Sequence, residues 1–155
     1  MRRLGIKGLI VDLDNTVVRF HSDRADDDVC DWFKNLPQYG MSACLLSNNQ
    51  GGRVKKVAAQ LDVPCIPNAM KPFFFGFRKA LAILNIGPEH AAMIGDQLLT
   101  DMWGAKRLGL LTILLRPMSD QDALGTRAIS RRIERFIWRR IEKNVKTNSH
   151  GDAEV

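Results

Sequence analysis

The chain has 155 residues, enough for one domain with a sizeable core. Its apolar fraction of 45% and charged fraction of 26% are those of an ordinary soluble globular protein. No apolar run reaches the roughly 18 residues that cross a bilayer. No apolar stretch with a cleavage site follows the basic start Met1-Arg2-Arg3, so no secretory signal is expected. The three cysteines, Cys30, Cys44 and Cys65, lie far apart, which argues against a disulfide framework or a thiolate zinc site and for reduced thiols in the cytoplasm. The formal charge of +6 is concentrated between Arg127 and Lys146, so it says little about the residues in front of it.

Gly8 to Val11 is a short apolar, β-branched run that reads as a buried strand ending at Asp12. From about Asp27 to Leu36 the spacing predicts a helix, with Val29, Trp32, Phe33 and Leu36 on its apolar face and Pro37 and Gly40 breaking it. Met41 to Leu46 is a second strand, which ends at Ser47. Gly52 to Leu61 is a helix with Val54, Val57, Ala58 and Leu61 at spacings of three and four, and Cys65-Ile66 is a very short strand between prolines. Pro72 suits the first position of a helix that runs to about Leu84. Ala91 to Ile94 is the next strand and leads to Gly95-Asp96; Leu99 to Leu108 is helical, with Gly109 as its C-cap. Leu110 to Leu115 is the last strand. Strands alternating with helices predict an α/β fold, a doubly wound, mostly parallel sheet flanked by helices. In such sheets ligands bind at the carboxyl ends of the strands.

The informative polar residues fall at those ends. The first strand runs into Asp12-Leu13-Asp14-Asn15-Thr16, the second into Ser47-Asn48-Asn49 and the fourth into Gly95-Asp96-Gln97, with Asp101 nearby; Lys71 stands just before a helix start. A parallel sheet brings these together, so four carboxylates, one hydroxyl and one ammonium converge. Carboxylates so crowded repel one another. A hard divalent cation such as magnesium resolves the conflict, because it takes oxygen ligands and substrate phosphate together. Ser47 and Lys71 then read as phosphate ligands, in a site suited to phosphoryl transfer.

Asp12-Leu13-Asp14-Asn15-Thr16, Ser47, Lys71 and Gly95-Asp96-Gln97-Leu98-Leu99-Thr100-Asp101 resemble the four motifs of the haloacid dehalogenase superfamily, in that order and context. The motifs span roughly residues 8 to 116, and the Asp-Asn-Thr variant and GDQxxTD form look most like the YqeG-type branch of its subfamily IIIA phosphatases. The resemblance implies a Rossmann-like fold and a magnesium-dependent phosphomonoester hydrolase. In it Asp12 is the nucleophile that forms an aspartyl-phosphate, and Asp14 is the general acid and base. Asp12, the Asp14 backbone carbonyl and Asp96 hold Mg2+, with Asp101 behind them supporting the metal or orienting Lys71. Ser47, Lys71 and Asn48 bind phosphate, and Thr16 supports the loop.

About thirty residues separate Thr16 from Ser47, and fewer separate Ser47 from Lys71. Neither gap holds a large cap domain, so a minimal cap and an open site are expected. Such a site suits a phosphate on something large, and phosphatidylglycerophosphate is a candidate because some relatives of the subfamily act on it. Phe73-Phe74-Phe75 is expected to be core and rim packing rather than a substrate platform.

The chain divides into a phosphatase domain, 1–125, a basic amphipathic C-terminal helix, 126–147, and a disordered tail, 148–155. From Ala128 to Glu142, Ile129, Ile133, Phe136, Ile137 and Ile141 share one face, with arginines around the rest. That helix is read first as packing on the domain, then as peripheral contact with an anionic membrane, where each Lys or Arg adds about 1 kcal/mol. RNA or a protein partner is the third reading. On it the chain would be a binding module, the alternative to an enzyme.

Overall fold

A computed structural model describes residues 4–118. The expected helix 126–147 and the tail 148–155 lie outside the described residues, as does the end of the expected domain 1–125.

The elements in chain order are β1 (Gly8–Val11), α1 (Asp27–Asn35), a 3₁₀ turn (Leu36–Tyr39), β2 (Ser42–Leu46), α2 (Gly51–Gln60) and β3 (Cys65–Ile66). Then follow α3 (Phe74–Leu84), a 3₁₀ turn (Pro88–His90), β4 (Ala91–Gly95), a π-helical turn (Leu98–Met102), α4 (Trp103–Lys106) and β5 (Leu111–Leu114). The five strands form one parallel sheet in the order β3-β2-β1-β4-β5. Gly8 lies opposite Ser42 on one side and Ala91 on the other, so β1 is central.

Both faces of the sheet are covered, which is why its strands read as unbroken apolar runs rather than as alternations. Leu9, Val11, Ala43, Leu45, Ala92 and Ile94 share one core with the buried residues of α1 and α2. Ile10, Cys44, Leu46, Ala91 and Met93 share the other with Phe77, Ala80 and Leu81 of α3 and Ala105 of α4. The two-residue period of a strand makes this division. The chain builds outward from β1 through β2 to β3, then crosses to β4 and β5 on the other side of β1. The point of reversal is therefore between β1 and β4, where doubly wound sheets open a crevice beyond their carboxyl ends.

Four expectations need correction. Trp32 is exposed; Cys30, three residues before Phe33, takes the inward position instead, and Trp32 meets the Phe33 ring edge-on at 5.0 Å. Pro72 does not open α3. It follows a cis bond in a turn closed by the Phe73 N–H to the Met70 carbonyl (2.9 Å), and the helix starts at Phe74. The helix expected over Leu99 to Leu108 is shorter and begins as a π turn, because the Asp101 and Met102 N–H groups both bond back to the Gln97 carbonyl (3.0 and 3.2 Å). Phe73, Phe74 and Phe75 are all exposed, so the core half of their expected core and rim packing fails, and it is Phe77 that α3 buries.

Cys44, fully buried in β2, is a chemical probe of this packing. Burial pushes its thiol up to about 12. The reactive thiolate is thus essentially absent at pH 8. Iodoacetamide at pH 8 is expected to leave Cys44 unlabelled in the folded protein and to label it fully in guanidinium, as read by mass spectrometry.

Candidate active site

Asp12 is the first residue past β1 and Asp96 the first past β4. Val11 and Ile94 are partners in register, so the two carboxylates leave the sheet side by side. The Asp12 N–H closes the edge by donating to the Ile94 carbonyl (2.9 Å). Ser47 follows β2 directly and is likewise tied to its neighbour strand, through its N–H to the Ile66 carbonyl (3.0 Å). Lys71 arrives from the loop between β3 and α3, and Asp101 from the π turn after β4. The four residues Asp12, Lys71, Asp96 and Asp101 are no more than 6% exposed.

The Lys71 ammonium donates to Asp12 Oδ1 and to Asp101 Oδ1, the second at 2.6 Å. Burial alone would push its pKa down; Asp101 and then Asp12 outweigh burial and push it up. Lys71 therefore stays charged. Asp101, wholly buried, is pushed up to about 6 by burial, with Lys71 opposing and Asp12 adding to the rise. One ammonium shared between two carboxylates does not fully offset either.

Several contacts hold this arrangement in place. The Asn48 amide grips the Lys71 backbone at both ends: Nδ2 donates to the carbonyl (3.0 Å), and the Lys71 N–H donates to Oδ1 (2.7 Å). The N–H of Ala69 donates to the Ser47 carbonyl (2.9 Å), and that of Asn68 to the Asn49 carbonyl (3.0 Å). The Lys71 loop is thereby stapled to the tip of β2. The Ser47 hydroxyl accepts the Asn49 N–H (3.1 Å). Gly95 permits the approach of Asp101, since a Cβ there would collide with that carboxylate. Asp101 Oδ2 also accepts the Gln97 N–H (3.1 Å), which fixes its rotamer.

The Asp14 carboxylate has other partners. Its Oδ1 pairs with Arg53 and its Oδ2 accepts from the Asn49 side-chain amide. A second Arg53 nitrogen donates to the Ser22 carbonyl (2.7 Å), so one guanidinium ties the loop after β1 to α2. That loop is tight: Asn15 takes a left-handed conformation, and its N–H bonds to the Val18 carbonyl (2.7 Å). Thr16 is buried within it.

Asn49 and Arg53 are site residues that sequence reasoning missed. A signal for Arg53 was present. It is the third residue of α2, and a cation in the first turn of a helix opposes the helix dipole. Such a placement implies a carboxylate partner. Arg53→Ala is expected to lower kcat about 10- to 100-fold by removing the contact that sets where the Asp14 side chain rests. Melting temperature should also fall by several degrees, because the Asp14 side chain is only 9% exposed and losing its counter-charge leaves a largely buried carboxylate, at a cost of about 1–3 kcal/mol. Steady-state kinetics alongside a thermal melt test this.

Among the described residues, Asp12, Asp96 and Asp101 each offer a carboxylate oxygen, all within 4.8 Å of one another. Asp12 Oδ2 is buried and has no hydrogen-bond partner. Hard oxygen donors converging on a buried, unpartnered oxygen fit a divalent cation such as magnesium.

Carboxylates and a lysine gathered at the switch point of a parallel sheet define a hydrolase that works on phosphoryl groups. Comparison with known proteins agrees. A family model described as "HAD-hyrolase-like" matches residues 69–127. The chain is 35% identical over 150 residues to "Probable phosphatase YqeG" of Bacillus subtilis, covering 97% of this chain and 84% of that protein. It is 26% identical over 145 residues to a chloroplastic phosphatidylglycerophosphate phosphatase 1 of Chlamydomonas reinhardtii, spanning 88% of this chain and 54% of the relative's length. The solved structure of a 3-deoxy-D-manno-octulosonate 8-phosphate phosphatase from Yersinia pestis superposes with a TM-score of 0.57 at 18% identity, over 73% of this chain and 65% of that one. The chain belongs to the haloacid dehalogenase-type phosphatases and, within them, to the family of YqeG.

No helix among the described residues is long and apolar enough to cross a membrane.

Proposed function

We propose that the chain is a magnesium-dependent phosphomonoester hydrolase that acts through an aspartyl-phosphate on Asp12. The observation that carries the reading is the buried triad of Asp12, Lys71 and Asp101 beside Asp96.

In the first step an Asp12 oxygen attacks phosphorus, the bond to the leaving oxygen breaks, and protonated Asp14 delivers its proton to that oxygen. In the second step Asp14, now a carboxylate, takes a proton from water; the water oxygen attacks phosphorus, the bond to Asp12 breaks, and inorganic phosphate leaves. Both Asp14 oxygens are engaged by Arg53 and Asn49, so its turn towards the leaving group exchanges at least one of these contacts. Lys71 offsets charge on Asp12 and on the transferring group. Ser47 donates to a phosphoryl oxygen. Asn48, whose amide is committed to the Lys71 backbone, acts chiefly by holding that loop. Asp12, the Asp14 carbonyl and Asp96 would hold Mg2+, with Asp101 behind, and the ion would neutralise phosphoryl charge during transfer.

The preferred substrate is a phosphate on a lipid. No domain is inserted over the strand ends between residues 4 and 118, so a bulky group can approach. The relative that acts on phosphatidylglycerophosphate supports the same choice.

The test is phosphate release from an aryl phosphate, a sugar phosphate and phosphatidylglycerophosphate, with magnesium and with a chelator. Release is expected only with magnesium and fastest from the lipid. Magnesium should also raise the melting temperature of wild type and not of Asp96→Asn. Equal release with and without chelator would remove the metal from the reading, and preference for a soluble substrate would remove the lipid.

A further inference from the structure

The loops that carry charged residues into the site also carry apolar residues out of it. Met70 and Phe73 stand on either side of Lys71-Pro72, and Phe75 follows in the first turn of α3. Leu99 and Trp103 stand two residues before and after Asp101. These five are between 38 and 62% exposed. The two loops adjoin: Lys71 meets Asp101, and a Cβ on Gly104 would lie 3.0 Å from the Pro72 carbonyl. Apolar residues scattered singly on a surface need no explanation, whereas five on two adjoining segments suit an interaction site.

The rim is displayed rigidly. Met70 holds a left-handed conformation (φ 53°), uncommon for such a side chain. The hydrogen bonds that staple this loop to β2, through Asn68, Ala69 and Asn48, keep it there.

On the two segments that carry the rim, the exposed charged side chains next to it in sequence are cations. No acidic residue occurs from Met70 to Pro88 or from Met102 to Met118. Arg78, Lys79, Lys106 and Arg107 are exposed beside the aromatic residues. The Arg78 guanidinium sits 4.5 Å over the Phe74 ring, and that of Arg107 sits 4.7 Å over the Trp103 ring. Aromatic side chains at headgroup depth with cations beside them suit the interface of an anionic bilayer. A protein partner would need a matching surface both acidic and apolar, while anionic lipid offers that combination everywhere.

We propose that this rim docks the domain on an anionic phospholipid surface and so presents the Asp12 site to a phosphate borne by a lipid in that surface. The substrate half rests on the phosphatase reading; the docking half does not. The docking is carried by residues of the catalytic domain itself, apart from the basic segment 126–147.

The test is co-sedimentation of the full chain with vesicles of phosphatidylcholine alone and of phosphatidylcholine with phosphatidylglycerol. Wild type is expected to bind the anionic vesicles at least tenfold more tightly than the neutral ones. Phe73→Ser/Phe75→Ser and, separately, Arg78→Glu/Arg107→Glu should each weaken that binding at least tenfold, with melting curves and hydrolysis of a soluble aryl phosphate like those of wild type. The charge reversal leaves the aromatic residues in place, so it decides the matter if the serine variant folds poorly. Asp12→Asn should bind vesicles as wild type does, which separates failed docking from failed catalysis. Absence of vesicle binding by wild type would overturn the proposal, and so would unchanged binding by both double variants. It would also fall if wild type were a dimer that Phe73→Ser/Phe75→Ser dissociates while neither binds vesicles, since the rim would then meet a second copy.

Discussion

Asp12→Asn is expected to slow phosphate release by about 10⁴-fold or more while leaving the protein folded. Losing a covalent nucleophile removes the reaction path rather than tuning it, and effects of that size follow. The amide keeps the shape of the carboxylate and an oxygen that can still accept from Lys71, whose second partner, Asp101, is untouched. The melting temperature should therefore shift by only a few degrees. Acid-quenched wild type should carry a phosphoryl group that borohydride reduction converts to homoserine at position 12, and the variant should not. Phosphate release by Asp12→Asn at the wild-type rate, or a label mapped to another residue, would end the assignment of Asp12 as nucleophile.

Lys71→Met should show the largest effect on stability. Lys71 is the buried cation between Asp12 and Asp101, and its own charge persists because those two carboxylates outweigh the cost of burying it. Methionine fills similar space and leaves both carboxylates without their counter-charge. Removing one partner of such a buried pair costs about 3–5 kcal/mol. For a chain of this size that lowers the melting temperature by roughly 10 °C or more. Magnesium should restore part of the loss, because a cation among Asp12, Asp96 and Asp101 would offset the same carboxylates. Catalysis should fall as well if, as proposed, Lys71 offsets charge on the transferring group. A variant that melts with wild type in the absence of metal would show that these carboxylates do not depend on Lys71.

Much of this was legible in the sequence because local rules and the fold agree. Strands buried on both faces are apolar throughout, so Gly8 to Val11 and Ala91 to Ile94 could be found without knowing their neighbours. The apolar face of α2 was read completely, since Val54, Val57, Ala58 and Leu61 follow helical spacing and all are buried. Polar residues directly behind apolar runs placed Asp12, Ser47 and Asp96 at strand ends. The errors came where long-range contacts override local preference. Trp32 lies on the predicted stripe but lines an open cavity beside Val11, Ile94 and Ile113 rather than packing into the core, and it stays half exposed. Pro72 has the chemistry of a helix start, yet the tie between the Lys71 loop and β2 holds it in a turn. The sequence predicts core and rim packing for Phe73, Phe74 and Phe75, and only the course of α3 shows that Phe77 takes the core place while these three stay exposed.

By itself the sequence determined which residues stand at the strand ends and in what chemical kinds, because strand period and burial are properties of short segments. Only the tertiary structure decided who meets whom. Lys71 lies between Asp12 and Asp101, Asp14 pairs with Arg53 and Asn49, and the Asn48 amide grips the Lys71 loop. Such pairings join residues 23 to 59 positions apart. Their partners are chosen by the order and register of the strands, which no single segment encodes.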